Sequence, residues 1–134
     1  MRNVIGLAVF AAAMCGQAQA QEGDGNFVIV HKAGPRFSET VDYPDMRKAH
    51  RDLYVGFAES CKTLFGGRFA GDTPLGFTVF VHGVDEAAIK TAVEADPAIT
   101  GGFIALEYRY LDVQFGDISP VQPACKSTGE DDGS

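Results

Sequence analysis

Two side chains stand out for the chemistry they could do together. His50 falls four residues after Met46 and three before Leu53, which puts its imidazole on the apolar stripe of a helix rather than on the solvated side. An imidazole there needs a partner. Burial disfavours its charged form and a nearby carboxylate favours it, so a paired His50 could titrate near neutral pH and serve as acid or base. Asp96 lies three residues beyond Val93 and seven beyond Ile89, so it extends the inner stripe of a second helix. If both helices cover one face of a sheet, the carboxylate can meet the imidazole and fix its tautomer. Two plainer readings stand beside this one: a satisfied core histidine at position 50, and a solvated aspartate ending a helix before Pro97.

Other side chains are candidates for binding. Arg68 follows the Gly66-Gly67 pair, where a guanidinium could face an anionic substrate and Gly67 would admit a ligand close to the backbone. The plainer reading makes Arg68 a surface or ion-pair residue. Tyr54, with Tyr108 and Tyr110, could line a pocket for a flat ring, or pack in the core or at a dimer interface. His31 and His82 end apolar strands, and with Asp85 or Glu107 they lack the paired spacing of a metal site, so neither a metal nor a cofactor is expected. Ser38 and Ser60 have no nucleophile-elbow context, and bridging or burial explains Cys61 better than reactivity does.

Positioning these groups takes a scaffold whose hydrophobic period changes several times along the chain. Phe27-Val28-Ile29-Val30-His31 reads as a buried strand, broken by Ala33-Gly34-Pro35. An open polar loop, a candidate lid, leads to Pro44. From Pro44 to Leu64 the apolar residues Met46, Leu53, Phe57, Cys61 and Leu64 recur at three- and four-residue steps, which predicts a helix with Pro44 in its first turn. Leu64–Ala70 and Leu75–His82 read as the strands of a hairpin turned by Gly71-Asp72-Thr73-Pro74. Asp85 is the predicted N-cap of a second helix through Ala95, with Ala88, Ile89, Ala92 and Val93 inward and Pro97 ending it. After Gly101-Gly102, the alternation of Ile104, Leu106, Tyr108 and Tyr110 against Ala105, Glu107 and Arg109 marks a long strand over Phe103–Phe115. The order predicts an α+β, ferredoxin-like β-α-β-β-α-β antiparallel sheet with two helices on one face. Apolar side chains on both faces of several strands leave the helix-free face to a second copy, so a two-fold homodimer is expected.

Composition suits one domain: 134 residues, 46% hydrophobic and 22% charged. Residues 1–20 differ from the rest, with Arg2, the apolar run Val4–Met14 and then Ala18-Gln19-Ala20, and they read as a signal peptide cleaved after Ala20. That run is short for a permanent span, and Met14 precedes Cys15 where lipid-attachment signals carry a small residue. A periplasmic or secreted protein is therefore expected, with no membrane association after signal cleavage. Cleavage takes away one Arg and no acid, which moves the net charge from −7 to −8 and argues against nucleic-acid or anionic-membrane partners. Cys61 and Cys125 remain, an even count that permits a disulfide between tail and body; the alternative is a buried Cys61 and a free tail thiol. Residues 21–26 read as a disordered polar linker, 27–116 as the folded domain, and 117–134 as a tail whose polar end is disordered.

The motifs resemble a known family. An apolar first strand followed by Gly-Pro, "MRKAHRDLYVGFAES" with its helical histidine, "LFGGRFAGD" before a hairpin, and "AVEADPAITGGFIALEYRYL" with its Ala-Asp-Pro together resemble a YCII-related domain over Phe27–Phe115. The resemblance implies the dimeric α+β barrel form of the ferredoxin-like fold, with a histidine–aspartate dyad in a pocket, which in this chain is His50 and Asp96. An enzyme that dehydrochlorinates a chlorinated hydroxyquinol is similar to this family, and most members have no assigned reaction. This chain departs from the pattern in its export signal and in an acidic, cysteine-bearing tail.

The expected function is a small cofactor-independent enzyme in which His50 exchanges a proton with a small organic substrate and Asp96 orients it. Elimination, isomerisation or hydrolysis would each suit such a pair. A non-catalytic, dimeric periplasmic module that binds a small-molecule ligand is the alternative.

Overall fold

In a computed structural model, the structure describes residues 25–71, 74–118, 120, 121 and 125. The expected signal peptide, Cys15, Asp72 and Thr73 of the expected turn, residues 21–24 of the expected linker and residues 126–134 of the tail lie outside them. Strands β1 (Asn26–Ala33), β2 (Thr63–Arg68), β3 (Gly76–Phe80) and β4 (Ile104–Leu111) form one antiparallel sheet in the order β2-β3-β1-β4. Helices α1 (Pro44–Glu59) and α2 (Glu86–Glu94) cross between them, and a short α3 (Pro97–Thr100) precedes β4. This is the α+β, ferredoxin-like β-α-β-β-α-β arrangement.

The hydrophobic periods explain the layers. Phe27 and Ile29 of β1 and Phe80 of β3 pack with Phe57 of α1 and with Ile89 and Val93 of α2, forming one buried cluster between sheet and helices. Phe80 joins the layers, its ring 5.5 Å from Phe27 and 5.6 Å from Phe57. Each such fully buried side chain contributes about 1.5–3 kcal/mol. Tyr108 and Tyr110 of β4 pack on Phe27 and donate their hydroxyls to Glu94 and Glu86 of α2. They belong to this core edge.

Several expected boundaries move. Helix α1 ends at Glu59 rather than Leu64, because Cys61 takes a left-handed backbone, φ 59°, that turns the chain into β2. Strand β1 begins at Asn26, inside the expected linker, where the Asn26 side chain donates to the Phe80 carbonyl. Strand β4 stops at Leu111, short of Phe115. The polar loop before Pro44 holds a 3-10 helix over Phe37–Asp42. Arg36 anchors it: the guanidinium donates to Glu39 and to the Gly101 carbonyl and lies 4.4 Å over the Phe103 ring.

The tail is tied across the fold. Cys61 precedes β2 at one sheet edge and is bridged to Cys125, whose segment leaves β4 at the other edge.

Candidate functional site

Helix α1 presents residues 47, 50, 51, 54 and 58 along one face, the spacing of one helical stripe. That stripe looks down on the end of the sheet where β2 and β3 carry glycines. In register, Gly66 pairs with Thr78, and Gly76 pairs with His31 and Arg68, which places both glycines on the helix-facing side. No side chain fills that space, and a cavity of about 790 Å³ opens there. Gly76 cannot be anything larger, since a Cβ would sit 2.4 Å from the Gly67 carbonyl oxygen. His31, His50, Tyr54, Gly67 and Arg68 all line the cavity, with Phe37, Val55, Leu75 and Ile104 as apolar wall.

His50 and Asp96 come together behind this wall. His50 Nδ1 lies 2.5 Å from Asp96 Oδ2, with 18% of the His50 side chain and 1% of the Asp96 side chain exposed. The carboxylate therefore sits behind the ring, and Nε2 is the nitrogen left for the cavity. Asp96 reaches this position by a different route from helix-two periodicity: it lies outside α2, as the N-cap of α3, and its Oδ1 accepts the Ala98 N–H at 2.9 Å. Pro97, expected to stop a helix, occupies the first position of this new one, where its fixed φ and missing N–H are tolerated.

A second pair of polar groups crowds the same place. The His31 ring lies 4.8 Å from Tyr54 and 5.5 Å from His50, and His50 lies 5.1 Å from Tyr54. His31 Nδ1 and the Tyr54 hydroxyl are buried without a hydrogen-bond partner, although buried polar groups are nearly always paired. Burial, reinforced by the neighbouring His50, lowers the His31 pKa to about 4, with Asp96 pulling weakly the other way. Burial, and then the charge of Asp96, raises the Tyr54 pKa. Both groups are thus neutral at physiological pH, and the tyrosine is a protonated donor.

Sequence reasoning missed His31 as a cavity residue because a strand-ending histidine has no signature of its own. It also missed Arg47 and Arg51, although their offsets from His50 and Tyr54 are legible as one helix face. His82 is apart from the cavity, its Nδ1 3.1 Å from the Gly25 carbonyl. Among the described residues, no group of three or more His, Cys, Asp or Glu side chains is placed to hold a metal ion, and no helix is long and apolar enough to cross a membrane.

No protein-family model matches the chain, and no curated protein matches it. Among solved structures it is similar to the 5-chloro-2-hydroxyhydroquinone dehydrochlorinase TftG from Burkholderia phenoliruptrix AC1100, in complex with 2,5-dihydroxybenzoquinone. The identity is 20%, the TM-score 0.47, and the match covers 65% of this chain and 93% of that one.

Proposed function

We propose that this chain is a small acid–base enzyme of the YCII-related kind, in which His50 Nε2 takes a proton from a small organic substrate in the cavity and returns it. The observation that carries the reading is the His50–Asp96 contact, with the imidazole on the cavity wall and the carboxylate buried behind it. A carboxylate on Nδ1 holds that nitrogen protonated, which leaves the Nε2 lone pair free as a base and stabilises the imidazolium once it forms. Tyr54, neutral and unpartnered, supplies a hydrogen-bond donor where charge develops on a substrate oxygen. Elimination, isomerisation or hydrolysis each fit these parts.

Three further elements complete the proposal. The Cys61–Cys125 bridge supports a periplasmic or secreted location, where disulfides persist. Phe65 and Phe69, 38% and 42% exposed near Phe77, support a second copy on the helix-free face of the sheet. Sedimentation of the mature chain as a monomer would remove the dimer from the proposal.

The direct test follows deuterium exchange into candidate substrates in heavy water with wild type and His50→Gln. Exchange or turnover that depends on His50 is expected. Turnover unchanged in His50→Gln overturns the assignment, and binding without any exchange or turnover leaves a non-catalytic binding module.

A further inference from the structure

Arginines are scarce in this acidic chain, six in all at a net charge of −7, yet Arg47, Arg51 and Arg68 line one cavity. The other described arginines are paired with acids, Arg36 with Glu39 and Arg109 with Glu107. Among the described residues, the three cavity arginines have no carboxylate partner and no Asp or Glu side chain lines the cavity. Unpaired like charges gathered on low-dielectric walls repel each other and concentrate a field that draws in an anion.

We infer that the cavity takes an organic acid, its carboxylate held by Arg47, Arg51 and Arg68 at the rim and its apolar body lying inward against His31, His50 and Tyr54. This rests on the reading of the cavity as the substrate site and names the substrate class.

The geometry gives each arginine a reason for its place. Arg47 and Arg51 sit three residues before and one after His50, both exposed and both lining the cavity from α1. Arg68 approaches from β2 on the opposite wall, and a guanidinium binds a carboxylate through two parallel hydrogen bonds. Phe37, Val55, Leu75 and Ile104 of the same lining offer an apolar surface for the body of the acid. The Tyr54 hydroxyl and His31 Nδ1, both buried and unpartnered, supply hydrogen bonds to a second polar substituent. A fully apolar acid would leave these two orphaned, so the preferred ligand carries a hydroxyl or carbonyl besides its carboxylate.

The experiment compares matched acids and amides on the disulfide-bonded mature chain, by calorimetry and ligand-observed NMR: benzoate against benzamide, and 4-hydroxybenzoate against 4-hydroxybenzamide. Each acid is expected to bind roughly tenfold more tightly than its amide, a margin that shrinks with added salt. The combined variant Arg47→Gln, Arg51→Gln, Arg68→Gln should bring acid and amide to within about twofold, since each change is on the surface and leaves the fold intact. Lys48→Gln, which removes one positive charge from the same helix away from the cavity, should preserve the margin, whereas Arg47→Gln or Arg51→Gln alone should reduce it. Equal affinity for acid and amide, a margin that survives the triple substitution, or binding of none of the four probes overturns the inference. His50→Gln separates the two readings: a margin kept in that variant with no turnover of any acid by wild type sinks the catalytic reading alone. His50-dependent turnover of a neutral substrate without any acid preference sinks the anion site alone.

Discussion

The Asp96 carboxylate is shared between His50 and the start of α3: Oδ2 lies 2.5 Å from His50 Nδ1, and Oδ1 accepts the Ala98 N–H at 2.9 Å. One side chain thus orients the imidazole and caps a helix, so a substitution that looks catalytic is also structural.

Asp96→Asn should separate the two roles. The amide oxygen still caps α3, so unfolding free energy should stay within about 1 kcal/mol of wild type. The amide nitrogen, however, donates to His50 Nδ1 and forces the proton onto Nε2, the wrong tautomer for a base. Turnover should fall roughly 10²- to 10⁴-fold with little change in KM. Asp96→Ala should lose the turnover and about 1 kcal/mol of cap as well. Chemical denaturation and kinetics on the same preparations check both, and full activity in Asp96→Asn would show that the carboxylate is only a cap.

His31 makes a pH prediction. Its folded pKa of about 4 lies below the ordinary histidine value of 6.5, so between these values the unfolded chain binds a proton that the folded one does not. Stability from this group is therefore fully present above pH 6.5 and is lost as pH falls toward 4, by up to about 3 kcal/mol. His31→Phe should flatten the stability profile over that window by close to one proton. Urea midpoints measured from pH 4 to 7.5 decide it, and parallel profiles for the two proteins would mean that His31 binds its proton as readily in the fold as in the unfolded chain.

Tyr54→Phe should trade binding for stability. The hydroxyl is buried without a partner, so its removal should leave the ligand-free protein as stable or more stable, by up to about 1 kcal/mol. A ligand that accepts from that hydroxyl should bind roughly fivefold more weakly. Thermal melts with and without ligand read both effects. A destabilised Tyr54→Phe protein would reveal a partner for the hydroxyl inside the fold.

Reducing the Cys61–Cys125 bridge frees a loop of 64 residues in sequence separation. The loop-entropy relation gives about 4 kcal/mol for a closure of that length. Cys61→Ser with Cys125→Ser should lower the urea midpoint to match, and reductant should then have no further effect. Equal midpoints for oxidised and reduced wild type would show that the tail is held by packing alone.

Much of this fold was legible in local pattern. The strand period of β1 and β4, the three- and four-residue steps of α1, and Asp85 as the N-cap of α2 are each specified by neighbours in sequence. Boundaries were less legible where tertiary contacts prevail. The left-handed Cys61 ends α1 a turn before its apolar pattern does, and a guanidinium stacked on Phe103 orders a 3-10 helix in a stretch whose composition reads as open loop.

The site divides along the same line. The sequence alone determined that His50 lies on an inward helical face and that Asp96 is polar next to a proline, because periodicity and turn chemistry are local. It also placed Arg47 and Arg51 one helical turn from His50 and Tyr54. Only the tertiary structure decided that the Asp96 carboxylate meets the imidazole across α1 and α3, and that His31 of β1 comes within ring contact of both His50 and Tyr54. It alone showed that the three arginines face one cavity with no acid among its described lining residues. Those relationships join residues tens of positions apart, and the sheet register and the glycine floor of β2 and β3 set their distances, which no local pattern encodes.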